Sequence, residues 1–177
     1  VSREISELAQ AAAPPAAFDV AAALRNHGRA MFHLAQSMLQ DAALAEDTVQ
    51  EAIVRAWQSY GSFRHESSLR TWLLTITRNQ AVSAARRRRD IPSDPDQMID
   101  RPTTSTPEDA AMADEASTAA WRQIARLDPL SRSILILHDV DGETYQSIAE
   151  ILNVPLSTVR TRLFRARRTI TMSGVNR

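Results

Sequence analysis

Cysteine is absent from the 177 residues, which excludes disulfides, thiol nucleophiles and Cys-based zinc sites. Lysine is absent as well, so all 21 cations of the Lys+Arg count are arginine. Glycine is scarce at 4 residues and aromatics make up only 5%. With alanine abundant, that balance favours helices and argues against a sandwich or barrel. No apolar run approaches the length of about 18 residues that a membrane span needs. The start of the chain lacks the basic stretch and apolar run of a signal peptide, so a cytoplasmic protein is expected.

Catalytic patterns are missing too. The four histidines, His27, His33, His65 and His138, are scattered and none has an HExxH spacing. There is no Gly-rich phosphate loop and no G-x-S-x-G elbow. Asp139-Val140-Asp141-Gly142, aligned as a calcium loop, puts Leu137 and Ile148 at ligand positions, and so fails. No catalytic residue, metal site, cofactor or small-molecule substrate is expected.

What is present is an uneven charge. The net charge is +0, yet Arg86, Arg87, Arg88 and Arg89 stand side by side. Six more arginines lie between Arg160 and Arg177 with no acid among them, whereas residues 90–115 hold eight acids against Arg101 alone. Two basic blocks flank an acidic one, which suggests two sites for a polyanion and a segment that avoids or mimics it.

The length suits one ordinary domain or two small ones of about 60–80 residues. Residues 1–17, rich in alanine with Pro14 and Pro15, read as an N-terminal arm. Residues 18–89 read as a first helical domain. Its apolar positions are Leu24, Met31, Leu34, Ala35, Met38 and Leu39, then Leu44, Thr48, Val49, Ala52, Ile53, Ala56 and Trp57 after an N-cap at Asp41. A loop over 59–68 precedes a third helix holding Leu69, Trp72, Leu73, Ile76, Ala81, Val82 and Ala85. Residues 90–107, with Pro92, Pro95, Pro102 and Pro107, read as an acidic linker. Residues 108–177 read as a second domain with helices over roughly 108–127, 129–139, 144–152 and 156–172. The expected fold class is all-α, two small helical domains joined by a flexible linker.

The stretch TYQSIAEILNVPLSTVRTRLFRARRTI, residues 144–170, describes a helix-turn-helix. Tyr145, Ile148, Ala149 and Leu152 face inward, Asn153-Val154-Pro155 makes the turn, and Val159, Leu163, Ala166 and Ile170 form the buried stripe of the last helix. Its polar face carries Arg160, Thr161, Phe164, Arg165, Arg167 and Arg168. Arginines there can grip guanine edges bidentately or hold phosphates, and Phe164 can touch a thymine methyl.

In the first domain, Glu46, Asp47, Gln50 and Glu51 share the face opposite the apolar stripe. An acidic face suits a basic protein partner rather than DNA. Asn79 and Gln80 are amides that can read a base edge, and the arginine run can hold the phosphates of a melted strand.

Three stretches in this order, AEDTVQEAIVRAW, SFRHESSLRTWLLTITRN and LDPLSRSILILHDVDGETYQSIAEILNVPLSTVRTRLFRARRTI, resemble the extracytoplasmic-function class of bacterial sigma factors. The resemblance spans about residues 18–89 and 108–172. It implies a protein that binds core RNA polymerase, through its β′ and β subunits, and directs it to promoter DNA. Glu46, Asp47, Gln50 and Glu51 would dock on the β′ coiled coil. Phe63, Arg64, His65, Glu66, Ser67 and Asn79 would hold a flipped base of the −10 element, with Arg86 and Arg87 on the nearby backbone. Extruding a base costs a few kcal/mol, recovered by contacts to it. Ser157, Thr158, Arg160, Thr161, Phe164, Arg165 and Arg168 would meet the −35 element. Ser157 stands where many relatives have glycine, and Thr161 where serine is common. The class is usually held by an anti-sigma factor, often membrane-bound. The second reading is a stand-alone helix-turn-helix regulator that never binds core polymerase.

Overall fold

The computed structural model describes residues 18–90 and 121–175. The N-terminal arm, the linker beyond Asp90 and most of the helix expected over 108–127 lie outside these residues. Helix α1, Val20–Leu39, starts where Asp19 accepts the Ala22 N–H at 2.8 Å. It stops at Gln40, whose φ of 53° is left-handed. Asp41 then caps α2, Ala42–Ser59, by accepting the Leu44 N–H at 3.1 Å. A short 3-10 turn, Tyr60–Ser62, leads into the loop. The hydroxyl of Ser68 accepts the Thr71 N–H at 3.0 Å at the start of α3, Leu69–Asp90.

The second unit resumes as helix over 121–125. Asp128 caps α4, Pro129–Leu135, with the proline in its first turn, where a missing N–H costs nothing. The expected helix over 129–139 is not uniform: it loosens into a π-helical turn, Ile136–Val140. The Asp141 N–H reaches back to the Ile136 carbonyl at 3.0 Å. Gly142 takes a φ of 72°, which a side chain would strain. Thr144 caps α5, Tyr145–Leu152, and Asn153, at φ 53°, turns the chain towards α6, Leu156–Val175. No strand occurs among the described residues.

In the first unit, α1, α2 and α3 pack pairwise. Two expected core positions are corrected. Leu24 is 41% and Trp57 39% exposed. Their neighbours Ala23 and Ala56 take the inward positions, and small residues there let the helices approach closely; one residue further is about 100° round the helix. In the second unit, Ile148, Leu152, Val159, Leu163 and Ala166 are buried as the helix-turn-helix pattern predicts.

The units do not keep separate cores. α1 packs against α4, and α3 against α5. One apolar cluster runs from Met31 and Leu34 through Leu73 and Leu74 to Leu137, Ile148 and Ile151.

Candidate nucleic-acid interface

Three surfaces carry the expected site residues. On α6, Ser157, Arg160, Thr161, Phe164, Arg165 and Arg168 are exposed and Thr158 is half-buried. The opposite stripe, Val159, Leu163 and Ala166, is buried against the rest of the unit, which fixes the outward face. Phe164 is 67% exposed, a large apolar side chain with no place in the core. Arg160, Arg165 and Arg168 have no acidic partner among the described residues. A groove of about 420 Å³ beside them is lined by Ser131, Ser157, Thr158, Thr161, Arg162 and Arg165, among others.

Two other α6 arginines are already engaged. Arg162 donates to the Asp128 carboxylate at 2.9 Å and to the Ser131 hydroxyl at 3.2 Å. Burial alone would push the Asp128 carboxyl up. Hydrogen bonds from the Ser131 hydroxyl and backbone N–H, with the charge of Arg162, hold it below the usual carboxylate range. Arg167 is gripped by the Asp139 carboxylate, and His138 stands beside the pair. The hydrogen bond from Arg167 dominates, outweighs burial, and lowers the Asp139 pKa. Arg167 was expected on the free polar face. Instead it ties the middle of α6 to the π-helical turn.

On the first unit, Phe63 is half-buried and the side chains of Arg64, His65 and Glu66 are exposed; Ser67 is half-buried. Phe63 lies 4.7 Å from Trp72, 4.4 Å from His65 and 6.0 Å from Tyr60, ring centre to ring centre. Trp72 packs on the core while supporting Phe63. His65 has a φ of 56°, a left-handed conformation that costs a non-glycine residue about 1 kcal/mol or more and turns the loop back over the aromatic cluster.

Asn79 lies further along α3 than this cluster. It stands ten residues beyond Leu69 on α3, about 15 Å along the helix at 1.5 Å per residue. Asn79 and Arg86, both exposed, are seven residues apart and share one face. Trp72, which supports Phe63, stands seven residues before Asn79, so the aromatic cluster and Asn79 follow one another along one face of α3, about 10 Å apart. Arg87 points elsewhere: it lies 3.2 Å from Glu51 on α2.

The third surface is α2. Glu46, Asp47, Gln50 and Glu51 are all exposed. Asp47, Gln50, Glu51 and Gln80 border a shallow concavity of about 570 Å³ that also takes in Val54. Val54 is 53% exposed and Trp57 39%. The acidic face thus has an apolar margin, which the periodicity had assigned to the core side in the case of Trp57.

Comparison with known proteins agrees with this arrangement. Residues 23–91 match Sigma-70 region 2, and residues 117–170 match Sigma-70, region 4. The RNA polymerase sigma-H factor of Pseudomonas aeruginosa is 33% identical over 142 residues, covering 75% of this chain and 74% of that protein. The ECF RNA polymerase sigma-E factor of Escherichia coli K12 is 35% identical over 134 residues, 70% of each chain. Among solved structures, the sigma factor RpoE of Bartonella quintana, crystallised with the anti-sigma factor NepR, is similar with a TM-score of 0.73 at 28% identity. That match covers 87% of this chain and 96% of RpoE. The chain belongs to the sigma-70 family, in its extracytoplasmic-function group. Region 2 is the α1–α3 unit, and region 4 contains the helix-turn-helix of α5 and α6.

Proposed function

We propose that this chain gives core RNA polymerase its promoter specificity. The observation that carries the reading is the pairing of two surfaces on one chain. An acidic α2 face is suited to a basic protein helix, and an α6 face of unpaired arginines around an exposed Phe164 is suited to a major groove. A stand-alone regulator accounts for the second surface and leaves the region 2 unit without a role.

Glu46, Asp47, Gln50 and Glu51 dock on the β′ subunit, with Val54 and Trp57 adding apolar area at the margin. Phe63, Arg64, His65, Glu66 and Ser67 receive an extruded base of the −10 element against the Phe63–Trp72 stack. Asn79 and Arg86 touch the melted strand further along α3, and Arg87 reaches it on leaving Glu51. Ser157, Thr158, Arg160, Thr161, Phe164, Arg165 and Arg168 read the −35 element. Arg162 and Arg167 hold the reading helix in place rather than reading.

The Bartonella relative was solved with an anti-sigma factor, and a partner of that class regulates this chain too. Among the described residues no helix is long and apolar enough to cross a membrane. Action in the cytoplasm follows from the proposed partners, with any membrane tether supplied by the anti-sigma factor. The chemistry of transcription belongs to the polymerase, and no residue here is assigned a catalytic role.

The test is co-elution with sigma-free core RNA polymerase, followed by transcription on genomic DNA of the source. Binding with discrete start sites supports the reading, and the aligned starts give both promoter elements. Duplex binding without core association overturns it in favour of the stand-alone regulator.

A further inference from the structure

The loop between α2 and α3 sets its rings in a row. Trp72 packs on the core, and its ring centre is 4.7 Å from that of the half-buried Phe63. Tyr60 supports the same two rings, 6.0 Å from Phe63 and 6.2 Å from Trp72. His65 is exposed, and its imidazole lies 4.4 Å from Phe63. The row therefore runs from core to solvent, with Phe63 in the middle and the imidazole outermost.

The backbone that carries the imidazole is unfavourable. His65 has a φ of 56°, a value that among the described non-glycine residues only Gln40 and Asn153 share in sign. Those two end helices, where a left-handed residue satisfies the last carbonyls. His65 ends no helix, and a side chain disfavours this conformation. Among the described residues its ring makes no hydrogen bond or ion pair, so stacking on Phe63 is what holds it. Such stacking is exchangeable, because every base has a π-face that can take the place of an imidazole, and a larger one.

We propose that His65 is a stand-in for the extruded base: its imidazole covers the outer side of Phe63 in the free chain and is displaced when a base stacks there. The proposal deepens the −10 reading given above and rests on it. Displacement subtracts the imidazole contact from the affinity for every base by the same factor, offset in part where the left-handed turn relaxes. His65 thus sets how tightly any melted strand is held, and the choice between bases is left to polar neighbours such as Arg64, Glu66 and Ser67. The free chain is thereby kept from taking up arbitrary single strands.

Asparagine tolerates a left-handed φ and glycine adopts it freely, so His65→Asn and His65→Gly remove the ring without straining the turn. The full chain, alone and with core polymerase, is titrated with short oligo(dA), oligo(dC) and oligo(dT) strands, each carrying one 2-aminopurine, whose fluorescence is quenched on stacking. Both variants are expected to bind all three strands roughly three- to ten-fold more tightly than wild type, the size of one aromatic contact, with the ratios between strands unchanged. In wild type, the ring protons of His65 should be shifted upfield by Phe63 in the free chain and return to the usual histidine position as strand is added. That second readout needs no variant. Weaker binding by both variants overturns the proposal, because His65 then stacks on the base instead of giving way to it. Unchanged affinity overturns it too, as does a gain confined to one strand, or a ring that stays shifted while the 2-aminopurine is quenched. The expected gains and ring release in a chain that never binds core support the displacement and overturn the sigma reading instead.

Discussion

At the residue scale, arginine does several different jobs, and partners decide which. Arg132 donates to the carbonyls of Ile124, Ser37, Ala125 and Leu127 at 2.6–3.3 Å. Its burial lowers its pKa from the usual arginine value. Arg132→Met leaves those carbonyls without donors and should cost about 2–4 kcal/mol, at about 1–3 kcal/mol per unsatisfied buried group with partial relaxation. Urea unfolding of the variant beside wild type measures it. Arg165→Ala should weaken −35 duplex binding by about 1–3 kcal/mol and relax base preference at one position. Arg167→Ala, whose guanidinium already serves Asp139, should lose less duplex affinity and more thermal stability. Titration of matched and scrambled duplexes distinguishes the two variants.

His27 gives a pH effect at the same scale. Burial, then the charge of Arg70, lowers its pKa from about 6.5, against an opposing pull from Glu143. Its Nδ1 is buried without a hydrogen-bond partner. The folded state therefore binds fewer protons here than the unfolded state between the lowered value and about 6.5. Stability from this residue is fully present above about 6.5, and it declines as pH falls through that value towards the lowered one. Denaturation midpoints at pH 5.5 and pH 7.5 should differ more in wild type than in His27→Gln.

At the element scale, the helices are set by local capping and by alternation of faces. Asp19, Asp41, Asp128 and Thr144 each accept an N–H in the first turn of the helix they precede, and Asp41 was recognisable as a cap from position alone. The π-helical turn was not. It arises where the chain must deliver Asp139 to Arg167 and Asp141 to His33 within three residues, and no local propensity announces that demand. On α3, Trp72, Asn79 and Arg86 recur every seven residues, so the helix period continues the face that begins under the Phe63 stack. Asn79→Ala should slow open-complex formation while leaving affinity for core unchanged. Permanganate footprinting of the melted strand, paired with a core-binding assay, checks both halves; loss of core binding would contradict the assignment of α3.

At the scale of the whole molecule, the two regions share one core and a set of buried polar contacts. The expectation of two small helical domains joined by a linker did not include their docking. The exposed arginines of α6 and the acidic α2 face were legible because exposed polar residues at helical spacing can be read in series. Leu24 and Trp57 were misplaced because a stripe of apolar residues does not say where a smaller neighbour will let two helices close up.

The sequence alone determined the helical class, the caps, the helix-turn-helix and the chemistry of its outer face, since each depends on residues within a few positions of one another. Tertiary structure decided which arginines are free to meet DNA and which are tied to Asp128, Asp139 or backbone carbonyls. It also decided that region 4 folds back onto region 2. Ser37 and Ser133 are 96 positions apart, and His33 and Asp141 are 108 apart. Nothing in either local pattern encodes such a contact, because it exists only once two folded surfaces of matching shape and charge have met.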